Sequence, residues 1–417
     1  MIKIGIVGVG VVGESVVKIL NDNKDIIRAR SGKEIIVKSG VVRNLNKKRD
    51  VEIKLTDNYL DVTTDPEIDI VVELMGGVED AYKVVKSAIE NNKAVVTANK
   101  ALLAYHRFEL QEMSDKPFEY EASVAGGIPI IKALREGLSA NHIESMKGII
   151  NGTCNYMLTE MKNGADYDEI LKVAQDLGYA EADPTFDVGG FDAAHKLLIL
   201  ASIAYNIDAK PDDILIEGIE NISSVDMEFA KEFGYEIKLL GIAKKDGEFI
   251  ELRVHPTMLK STQMIAKVEG VMNAVSVVGD KVGETLYYGA GAGGDATASA
   301  VISDIISIVR GSTAPMLGFK KPLENGDFKL RNKDEIKSKY YLRLAVNDEV
   351  GVLEKITSIF AKNNISINNM LQKEAQTFVK ILLSTHEAVE KNIQTGIKEI
   401  SDLPFIQKDI ALIRIED

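Results

Sequence analysis

A lysine and several acids are concentrated near the middle of the chain, in the segment Gly178–Lys196. Asp192 and Lys196 are four residues apart, and at that spacing both side chains project from one face of a helix. The apolar run Leu197–Ala201 follows at once, so these charges lead into a helix that should be buried. Such a group could transfer a proton at the mouth of a cavity, although an ordinary salt bridge beside a surface loop has the same pattern.

A glycine-rich turn lies between a predicted strand, Lys3–Val7, and a predicted helix that begins near Glu14. In the pattern G-x-G-x-x-G the first glycine allows a tight turn, the second lets a pyrophosphate approach the backbone, and the third lets the helix pack on the strand. A purely structural glycine turn is the less favoured alternative. The residues predicted to bind a dinucleotide here are Gly8, Gly10, Val11, Val12 and Gly13.

The second predicted strand region is formed by Glu34–Val37 and Ser39–Val42, and the residues after it indicate which nicotinamide cofactor is bound. An acid at this position would bind the ribose 2′-hydroxyl of NAD. This chain has Arg43 instead, followed by the basic run Lys47–Arg49. Because Arg43 could bind a 2′-phosphate, we favour NADP. NAD, and a merely solvated basic loop, remain open alternatives.

Polar residues also follow a later strand of the same pattern, Ala94–Thr97. Ligands of open α/β sheets bind at the carboxyl ends of the strands. Thr97, Asn99 and Lys100 are therefore candidates for cofactor contact, and Lys100 is also a catalytic candidate, with an ordinary surface lysine as the alternative. Glu73–Gly77 occupies the equivalent place one strand earlier.

Two further segments have backbone suited to ligands. Gly289–Val309 is typical of a glycine-rich turn that opens a helix, and its Gly291 and Gly293 suit phosphate contact. Glu121–Pro129 places one carboxylate beside kinked, glycine-rich backbone whose carbonyl oxygens could bind a hard cation. At this second segment the residue types alone favour a simple turn.

The single cysteine, Cys154, must be weighed as a catalytic nucleophile. A cysteine-dependent semialdehyde dehydrogenase needs such a residue with an activating base beside it. None of the five histidines lies near Cys154 in sequence, and they show no metal-ligand spacing. A small packing residue is the favoured interpretation of Cys154, and His195 is expected in the core or behind the site.

The chain is predicted to belong to the α/β class and to contain three domains, which would position these residues. Strands alternate with helices in the first third, which predicts a Rossmann-type, doubly wound parallel sheet. Longer helices and a hairpin at Asp246-Gly247 then predict an α+β catalytic and dimerisation domain. The end of the chain has the βαββαβ order of a ferredoxin-like domain. The predicted boundaries are 1–137 for the dinucleotide-binding domain, with 289–311 returning to it, 138–311 for the substrate-binding and dimerisation domain, 312–339 for a linker and 340–417 for the last domain.

The composition of the chain limits the kinds of partner and the cellular location that we expect. The 417 residues carry a formal net charge of −13, which argues against nucleic acid as a partner. No apolar run approaches the roughly 20 residues of a membrane span. Met1–Ile4 runs directly into a strand, so we expect no signal peptide, and the single cysteine fits a reducing compartment. We therefore expect a cytoplasmic protein.

Together these motifs resemble one family, the homoserine dehydrogenases, almost from end to end. The C-terminal domain resembles an ACT domain, an amino-acid-sensing module. The segments that carry the resemblance are Gly8–Gly13, Glu73–Gly77, Thr97–Lys100, Glu121–Pro129, Asn151–Tyr156, Gly178–Lys196 and Gly291–Ala300.

The resemblance implies a reaction and its setting. L-homoserine and NAD(P)+ would interconvert with L-aspartate 4-semialdehyde and NAD(P)H, on the route to threonine, methionine and isoleucine. It also implies a homodimer or higher homo-oligomer, and L-threonine as the expected effector at the ACT domain. Within the ACT segment, Val350 stands where the family pattern usually has proline, and Gly351 is kept.

The resemblance also implies roles for particular residues. Lys196 and Lys100 would lie at the reacting oxygen, and the implied catalytic residues are Lys196, Lys100 and Asp192. The residues implied for substrate binding are Glu181, Asp187, Asp192, Asn151, Gly152 and Thr153. A monovalent cation, with sodium the expected ion, would be bound by Glu121 and the carbonyls of Val124, Gly126 and Ile128. Two other functions stay open from the residues alone: the cysteine-dependent dehydrogenase above, and a non-enzymatic amino-acid sensor.

Overall fold

The structure, a computed structural model, describes residues 1–323, 327–374, 378–407 and 410–416, without the side chains of 373 and 374. These residues form two compact units. The first unit consists of Met1–Gly152, His195–Pro211 and Val271–Phe328. The second consists of Thr153–Ala194, Asp212–Gly270 and the chain from Lys329 onward.

A sheet of six parallel strands forms the centre of the first unit. In sheet order its strands are Lys54–Thr56, Ile35–Val41, Ile2–Val7, Ile70–Glu73, Ala94–Thr97 and Phe118–Glu119. The helices between them are Val11–Asp22, Lys24–Ser31, Leu60–Thr63, Glu79–Glu90 and Lys100–Met113. Runs of Val and Ile in the central strands are buried, as a sheet covered on both faces requires. The strand order is that of dinucleotide-binding folds, so the predicted Rossmann-type sheet is confirmed.

The helix Gly294–Val309 returns to this sheet from late in the chain. Its Ala298, Val301 and Ile305 share a core with Val16 and Leu20 of the helix Val11–Asp22. Gly294 lets the two helices approach closely, because a Cβ there would lie 2.8 Å from Ser15 Oγ. The first helix after the glycine turn is therefore held in place by a segment far away in sequence.

The rest of the first unit includes three antiparallel strands, Ile143–Ile149, Met272–Gly279 and Gly283–Ala290. The short helix Ile130–Lys132 leads into one wider helical turn, Ala133–Gly137. The helix Phe191–Tyr205 belongs to this unit from His195 onward.

A long hairpin is the centre of the second unit. Its strands, Tyr235–Asp246 and Phe249–Lys260, pair along their whole length, and Gly247 takes a φ of +61° at the predicted Asp246-Gly247 turn. The sequence pattern predicts this second strand over Glu248–His255, but the strand continues to Lys260 with Met258 and Leu259 buried on its two opposite faces. Around the hairpin lie the helices Gly152–Lys162, Tyr167–Asp176, Thr185–Val188 and Ser224–Glu232 and the short strand Leu215–Ile216.

The C-terminal segment of the second unit has the predicted βαββαβ order. Its elements are Lys337–Val346, Val352–Lys362, Ile367–Glu374, Val379–Thr385, Glu390–Ser401 and Ala411–Glu416, with a short extra strand Ala388–Val389. The last strand lies beside the first, the first beside the third and the third beside the second. The ferredoxin-like fold is thus confirmed. The last strand is predicted from the sequence over Asp409–Ile415, and Asp409 lies outside the described residues.

This C-terminal sheet continues the sheet of the hairpin. The last strand pairs in parallel with the hairpin strand Phe249–Lys260, with Arg414 opposite Thr257. Within the predicted linker 312–339, Lys329–Leu330 also pairs with this hairpin strand, and the strand Lys337–Val346 has already begun. Residues 324–326 of that linker lie outside the described part of the chain. No helix within the described ranges is both long and apolar enough to cross a bilayer.

Candidate active site

The glycine turn after the first strand has three positions with different surroundings. Gly8 takes a φ of +105°, and a Cβ there would lie 2.7 Å from the carbonyl oxygen of Leu74. A Cβ on Gly13 would lie 2.8 Å from the carbonyl oxygen of Gly8. A Cβ on Gly10, in contrast, would have no neighbouring atom within 4 Å. Gly8 and Gly13 are therefore needed by the fold, whereas the space at Gly10 is open to a ligand.

A cavity of about 810 Å³ opens at this turn, in the first unit. That volume is within the usual range for small-molecule sites. The residues lining it are Val7, Gly8, Val9, Gly10, Val41, Val42, Arg43, Arg49, Asp57, Tyr59, Leu74, Met75, Gly76, Gly77, Asp80, Lys83 and Val84. Val7, Val41 and Leu74 lie at or just after the carboxyl ends of three adjacent parallel strands, where open α/β sheets bind nucleotides. Other lining residues come from the helix Glu79–Glu90 and from loops, and a dinucleotide fits this site.

Two arginines at this cavity have different roles. Arg43 is exposed at the cavity wall, as the prediction of a 2′-phosphate contact requires. Arg49 is tied to the protein, because its Nε donates to the carbonyl of Val9 and its Nη1 donates to the carbonyls of Asn44 and Lys47, each at 2.9 Å. Arg49 therefore fixes the basic loop against the glycine turn, a role that the basic run alone did not reveal.

A buried carboxylate joins the ends of two neighbouring strands. Glu73 accepts hydrogen bonds from the Met75 N–H at 2.6 Å and from the Thr97 hydroxyl at 2.5 Å. Thr97 Oγ1 in turn accepts from the Asn99 N–H at 3.0 Å, and Asn99 Oδ1 caps the helix Lys100–Met113 by accepting from the Leu102 N–H. Thr97 and Asn99, predicted to contact the cofactor, thus position the loops around the cavity. Burial raises the pKa of Glu73 to about 7, although these hydrogen bonds oppose the rise.

Replacing Glu73 by glutamine should change how stability depends on pH. The folded-state pKa of about 7 exceeds the unfolded value of 4.5, so the stability from protonated Glu73 is fully present below pH 4.5 and is lost as pH rises through 7. The glutamine of Glu73→Gln does not ionise, so the variant has no such pH-dependent contribution. The unfolding free energy of the variant, relative to the parent, should therefore rise from pH 5 to pH 8 by on the order of 3 kcal/mol. Urea unfolding at both pH values measures it, and a difference that does not grow with pH would contradict the buried-carboxyl interpretation. Glu52→Gln, at an exposed position, is the matched control.

The two candidate catalytic lysines lie on helices that pack together in the first unit. Lys196 Nζ donates to the carbonyl of Ile150 at 2.8 Å, and Lys100 is the first residue of its helix. The rings of Tyr105 and His195 meet edge to face at 5.5 Å, and His195 is buried as expected. Lys100 precedes Tyr105 by about 7.5 Å along the helix axis, and Lys196 is adjacent to His195. Both lysines therefore lie toward the N-terminal ends of this helix pair.

The segment after Ile150 is tightly constrained. Asn151 is buried, and Gly152 begins the next helix with no room for a side chain, since a Cβ there would lie 2.8 Å from the carbonyl oxygen of Val271. Thr153, in the second unit, donates through its hydroxyl to the carbonyl of Tyr179 at 2.5 Å. The Thr153 side chain thus holds the start of the acidic segment.

The acidic segment is a loop and short helix in the second unit. Glu181 is exposed, Asp187 is half-buried and Asp192 is buried in the first turn of the helix Phe191–Tyr205. Gln175 Nε2 donates to the carbonyls of Glu181 and Ala182 at 3.1 and 3.3 Å. The start of this loop is therefore held through its backbone.

Cys154 supports this loop instead of acting as a nucleophile. Its side chain is fully buried, and the thiol donates to the backbone carbonyl of Asp187 at 3.2 Å. A buried thiol engaged with a carbonyl is not the exposed, activated thiolate that nucleophilic catalysis needs. The packing interpretation of Cys154 fits this geometry.

The Glu121 loop is twisted and buried. Glu121 accepts from the backbone N–H groups of Ile131 at 2.8 Å and Lys132 at 2.9 Å, and its own N–H donates to buried Asp304 at 2.7 Å. Burial and the nearby charge of Asp304 raise the pKa of Glu121 to about 7. Gly126 has a φ of +49° and lies against the backbone of Gly291.

Some of the oxygen atoms of this loop are suited to bind a cation. A carboxylate has about four acceptor positions, so the two backbone hydrogen bonds leave capacity on Glu121 for a hard ion. Val124, Gly126 and Ile128 are all buried, and the Ile128 carbonyl also accepts from the Ile130 N–H at 2.8 Å. No cluster of three or more His, Cys, Asp or Glu side chains suited to a metal is found in the described ranges.

Gly291 and Gly293 precede the returning helix Gly294–Val309 in different ways. A Cβ on Gly291 would overlap the Asn273 side-chain amide, at 2.0 Å, so this glycine is a packing requirement. Gly293 is the N-cap residue, with a φ of +121° and no neighbour within 4 Å of a Cβ position. Of the two, Gly293 has the open surroundings that a phosphate contact needs.

Family comparisons account for nearly the whole chain. The model described as homoserine dehydrogenase, NAD binding domain, matches residues 8–117, the model for homoserine dehydrogenase matches 129–306, and the ACT domain model matches 340–405. The homoserine dehydrogenase of Helicobacter pylori is 56% identical over 420 residues, which cover 100% of this chain and 99% of the relative. The chain belongs to the homoserine dehydrogenase family.

Relatives and solved structures agree on this family. The homoserine dehydrogenase of Bacillus subtilis is 39% identical and covers 100% of this chain and 98% of its own length. A crystal structure of the homoserine dehydrogenase from Thiobacillus denitrificans has a TM-score of 0.93 and 47% identity, covering 100% of this chain and 98% of that one. A hyperthermophilic archaeal homoserine dehydrogenase in complex with NADPH has a TM-score of 0.63 and 27% identity, covering 74% of this chain and 97% of that one.

These findings decide between the functions left open by the residues. The predicted homoserine dehydrogenase, an oxidoreductase with a nicotinamide-binding domain and an ACT domain, is confirmed. The comparisons support neither the cysteine-dependent dehydrogenase nor the non-enzymatic sensor. Sequence reasoning missed the cavity residues Asp57, Tyr59, Asp80 and Lys83. Asp80 and Lys83 lie in the first turns of the helix Glu79–Glu90, directly after Gly76-Gly77. Their closeness to this glycine pair could have indicated that they line the cavity.

Proposed function

We propose that this chain interconverts L-homoserine and L-aspartate 4-semialdehyde with NADP as its preferred cofactor, and that Lys196 transfers the proton. The observation that carries the proposal is the hydrogen bond from Lys196 Nζ to the Ile150 carbonyl, in the unit that contains the nucleotide cavity. This bond orients the ammonium group of Lys196.

The proposed proton transfer follows from the charge that the reaction develops. Reducing the aldehyde places negative charge on its oxygen, and a lysine ammonium stabilises that charge and can donate the proton. The bound nicotinamide would supply or accept the hydride. Lys100 is the second lysine proposed at the reacting oxygen, and its helix is fixed by the Asn99 cap. In the oxidative direction Lys196 must instead take up the hydroxyl proton.

We propose that carboxylates bind the ammonium group of the substrate, because homoserine is a zwitterion. Glu181 and Asp192 would bind and orient the substrate, and Asp187 would support the ammonium side of the substrate. Asn151, Gly152 and Thr153 are proposed to contribute further contacts. Support comes from the way that Thr153, Gln175 and Cys154 hold the backbone of the acidic loop by hydrogen bonds.

The preference for NADP is proposed on the basis of Arg43. A bidentate guanidinium–phosphate contact is stronger and more specific than a contact to a neutral hydroxyl. Arg43 is exposed at the cavity wall, so it can reach a ligand without first breaking a buried contact. Gly10, Val11, Val12 and Gly293 would contact the pyrophosphate, and Gly8 and Gly13 would shape the turn that binds it.

Arg43→Ala should therefore alter cofactor choice without loss of the fold. We expect KM for NADP+ to rise by on the order of tenfold or more, while KM for NAD+ changes little. Initial rates of homoserine oxidation with each cofactor measure the effect. Lys48→Ala removes the same charge from the same exposed loop, outside the residues that line the cavity, and should change neither value by much. Equal changes for both cofactors would contradict the proposed 2′-phosphate contact.

We propose two further ligands, a cellular location and an oligomeric state. A monovalent cation, sodium in the first instance, would be held by Glu121 and the carbonyls of Val124, Gly126 and Ile128. L-threonine would bind in the ACT segment, where a cavity of about 390 Å³ is lined by Asn347–Glu354 and neighbouring residues. Gly351 has a φ of +90° there and begins the helix Val352–Lys362. A cytoplasmic homodimer, or a larger homo-oligomer, completes the proposal.

One spectrophotometric assay tests this set of proposals. Homoserine-dependent reduction of NADP+ and NAD+ is measured with and without added sodium and with and without L-threonine. We expect turnover with both cofactors, a higher kcat/KM with NADP+ and inhibition by threonine. No homoserine-dependent reduction of either cofactor would reject the proposed activity, whereas equal rates with and without threonine would reject only the proposed effector.

A further inference from the structure

One ion-pair network in the second unit is not used by the proposed mechanism. Arg414, on the last strand, has a fully buried side chain. It donates to both carboxylate oxygens of Glu217, at 2.7 and 2.8 Å, and to both oxygens of Glu390, at 2.9 and 2.5 Å. Glu390 also accepts from the Tyr340 hydroxyl at 2.9 Å. Arg414 thus links the ferredoxin-like segment to Glu217, which lies outside that segment.

The backbone that follows Glu217 lies directly against the acidic loop. The Ile219 N–H donates to the Val188 carbonyl at 2.9 Å. A Cβ on Gly218 would lie 2.3 Å from that same carbonyl oxygen. Gly190 takes a φ of +84°, and its Cβ position is 3.3 Å from the Glu217 carbonyl oxygen. The turn 217–219 and the turn 188–190 are therefore in contact with no intervening side chain.

The turn 188–190 sets the position of two carboxylates. The Gly190 N–H donates to the Asp187 carbonyl at 3.0 Å, and the Ala194 N–H donates to the Gly190 carbonyl at 3.0 Å. Asp187 thus closes the turn on one side, and Asp192 follows on the other in the first turn of the helix Phe191–Tyr205. A shift of Glu217 would pass through this backbone to both aspartates.

The strand Phe249–Lys260 explains why Glu217 and Arg414 meet. The short strand Leu215–Ile216 pairs with it at Arg253 and Val254, and the last strand pairs with it from Thr257 onward. Both strands are parallel to it, so the end of one points toward the start of the other. Arg414 fills this gap and bonds Glu217 through two parallel N–H groups, the geometry that arginine provides and lysine does not.

We infer that Glu217 and Arg414 are positioning residues, through which the last strand of the ACT segment fixes the Val188–Gly190 turn and so places Asp187 and Asp192 for the substrate. This inference rests on the substrate role proposed above for those two aspartates. It makes the C-terminal strand part of the support of the substrate site, in addition to any role in effector binding.

Glu217→Gln tests the inference, because it removes the charge and keeps the shape of the side chain. We expect KM for homoserine to rise by about fivefold, with kcat and KM for NADP+ within about twofold of the parent. Arg414→Lys should raise the homoserine KM similarly, and the double variant should be no worse than the more severe single variant, since both remove the same contact. Asp212→Asn is the matched control, since it removes one charge from an exposed position five residues away and should leave all three constants unchanged.

Several results would overturn the inference. An unchanged homoserine KM in Glu217→Gln, with or without a lower Tm, would leave the ion pair with only a structural role. An equal rise in KM for homoserine and for NADP+ would also reject a specific effect on the substrate loop. If Glu217→Gln does not fold, Glu217→Asp keeps the charge but shortens the reach, and the same two results are decisive in that variant.

Asp192→Asn, measured in the same assay, separates this inference from the proposed function. If Asp192→Asn changes neither kcat nor the homoserine KM, the proposed substrate role itself fails. If Asp192→Asn is impaired while Glu217→Gln behaves like the parent, only the positioning role fails.

Discussion

Lys196→Ala is expected to lower kcat for homoserine oxidation by about 10³-fold, since positioned acid–base groups contribute roughly 10²–10⁴-fold. The effect should be on kcat more than on KM for NADP+, because Lys196 is not among the residues that line the nucleotide cavity. Stopped-flow and steady-state rates in both directions measure it, and NADPH binding followed by fluorescence checks that the cofactor site is intact.

Three comparison variants make the Lys196 result interpretable. Lys172→Ala, at an exposed position on the helix Tyr167–Asp176, should behave like the parent. Lys196→Arg keeps a charge but releases a proton far less readily, so it should recover little turnover. Lys100→Ala reports on the second lysine and should also be impaired. Near-normal turnover in Lys196→Ala would place the proton transfer on another group and reject the assignment.

Gly10→Ala and Gly8→Ala should separate binding from folding. A methyl group at Gly10 meets no protein atom within 4 Å, and its φ of −106° suits any residue. We therefore expect the unfolding free energy of Gly10→Ala to stay within about 0.5 kcal/mol of the parent. Its KM for NADP+ should rise by on the order of tenfold or more, because the methyl group occupies the space where the pyrophosphate would approach the backbone.

Gly8→Ala, in contrast, should lower the stability of the fold. At a φ of +105°, with a Cβ 2.7 Å from the Leu74 carbonyl oxygen, alanine strains the turn itself. A loss of about 1–3 kcal/mol in unfolding free energy is expected. Urea unfolding and initial rates on the same preparations measure both quantities. Comparable loss of stability in the two variants would mean that the open space at Gly10 is not a binding feature.

Local patterns were enough to predict most of the fold. The glycine turn before the helix Val11–Asp22, the Asp246-Gly247 hairpin and the βαββαβ order of the C-terminal segment each depend on residues that are close in sequence. Alternating and continuous apolar runs then determine which faces are buried. These features could therefore be predicted before any long-range contact was known.

Long-range polar contacts could not be predicted in this way. Arg414 and Glu217 are separated by 197 positions, and nothing near either residue indicates the other. Thr97 was predicted to bind the cofactor from its place at a strand end, yet its hydroxyl donates to Glu73 on the neighbouring strand. Strand ends gather ligand contacts and structural hydrogen bonds alike, and sequence position alone does not separate the two uses.

The return of the helix Gly294–Val309 to the first sheet has a consequence for biosynthesis. The helix Val11–Asp22 is made before Ala298, Val301 and Ile305, which cover its Val16 and Leu20 and lie more than 270 positions later in the chain. A nascent chain, or a fragment that stops before Gly294, would expose this apolar face. The amino-terminal part should therefore depend on chaperones until translation has passed Val309, even though its strand order is that of a self-contained nucleotide-binding fold.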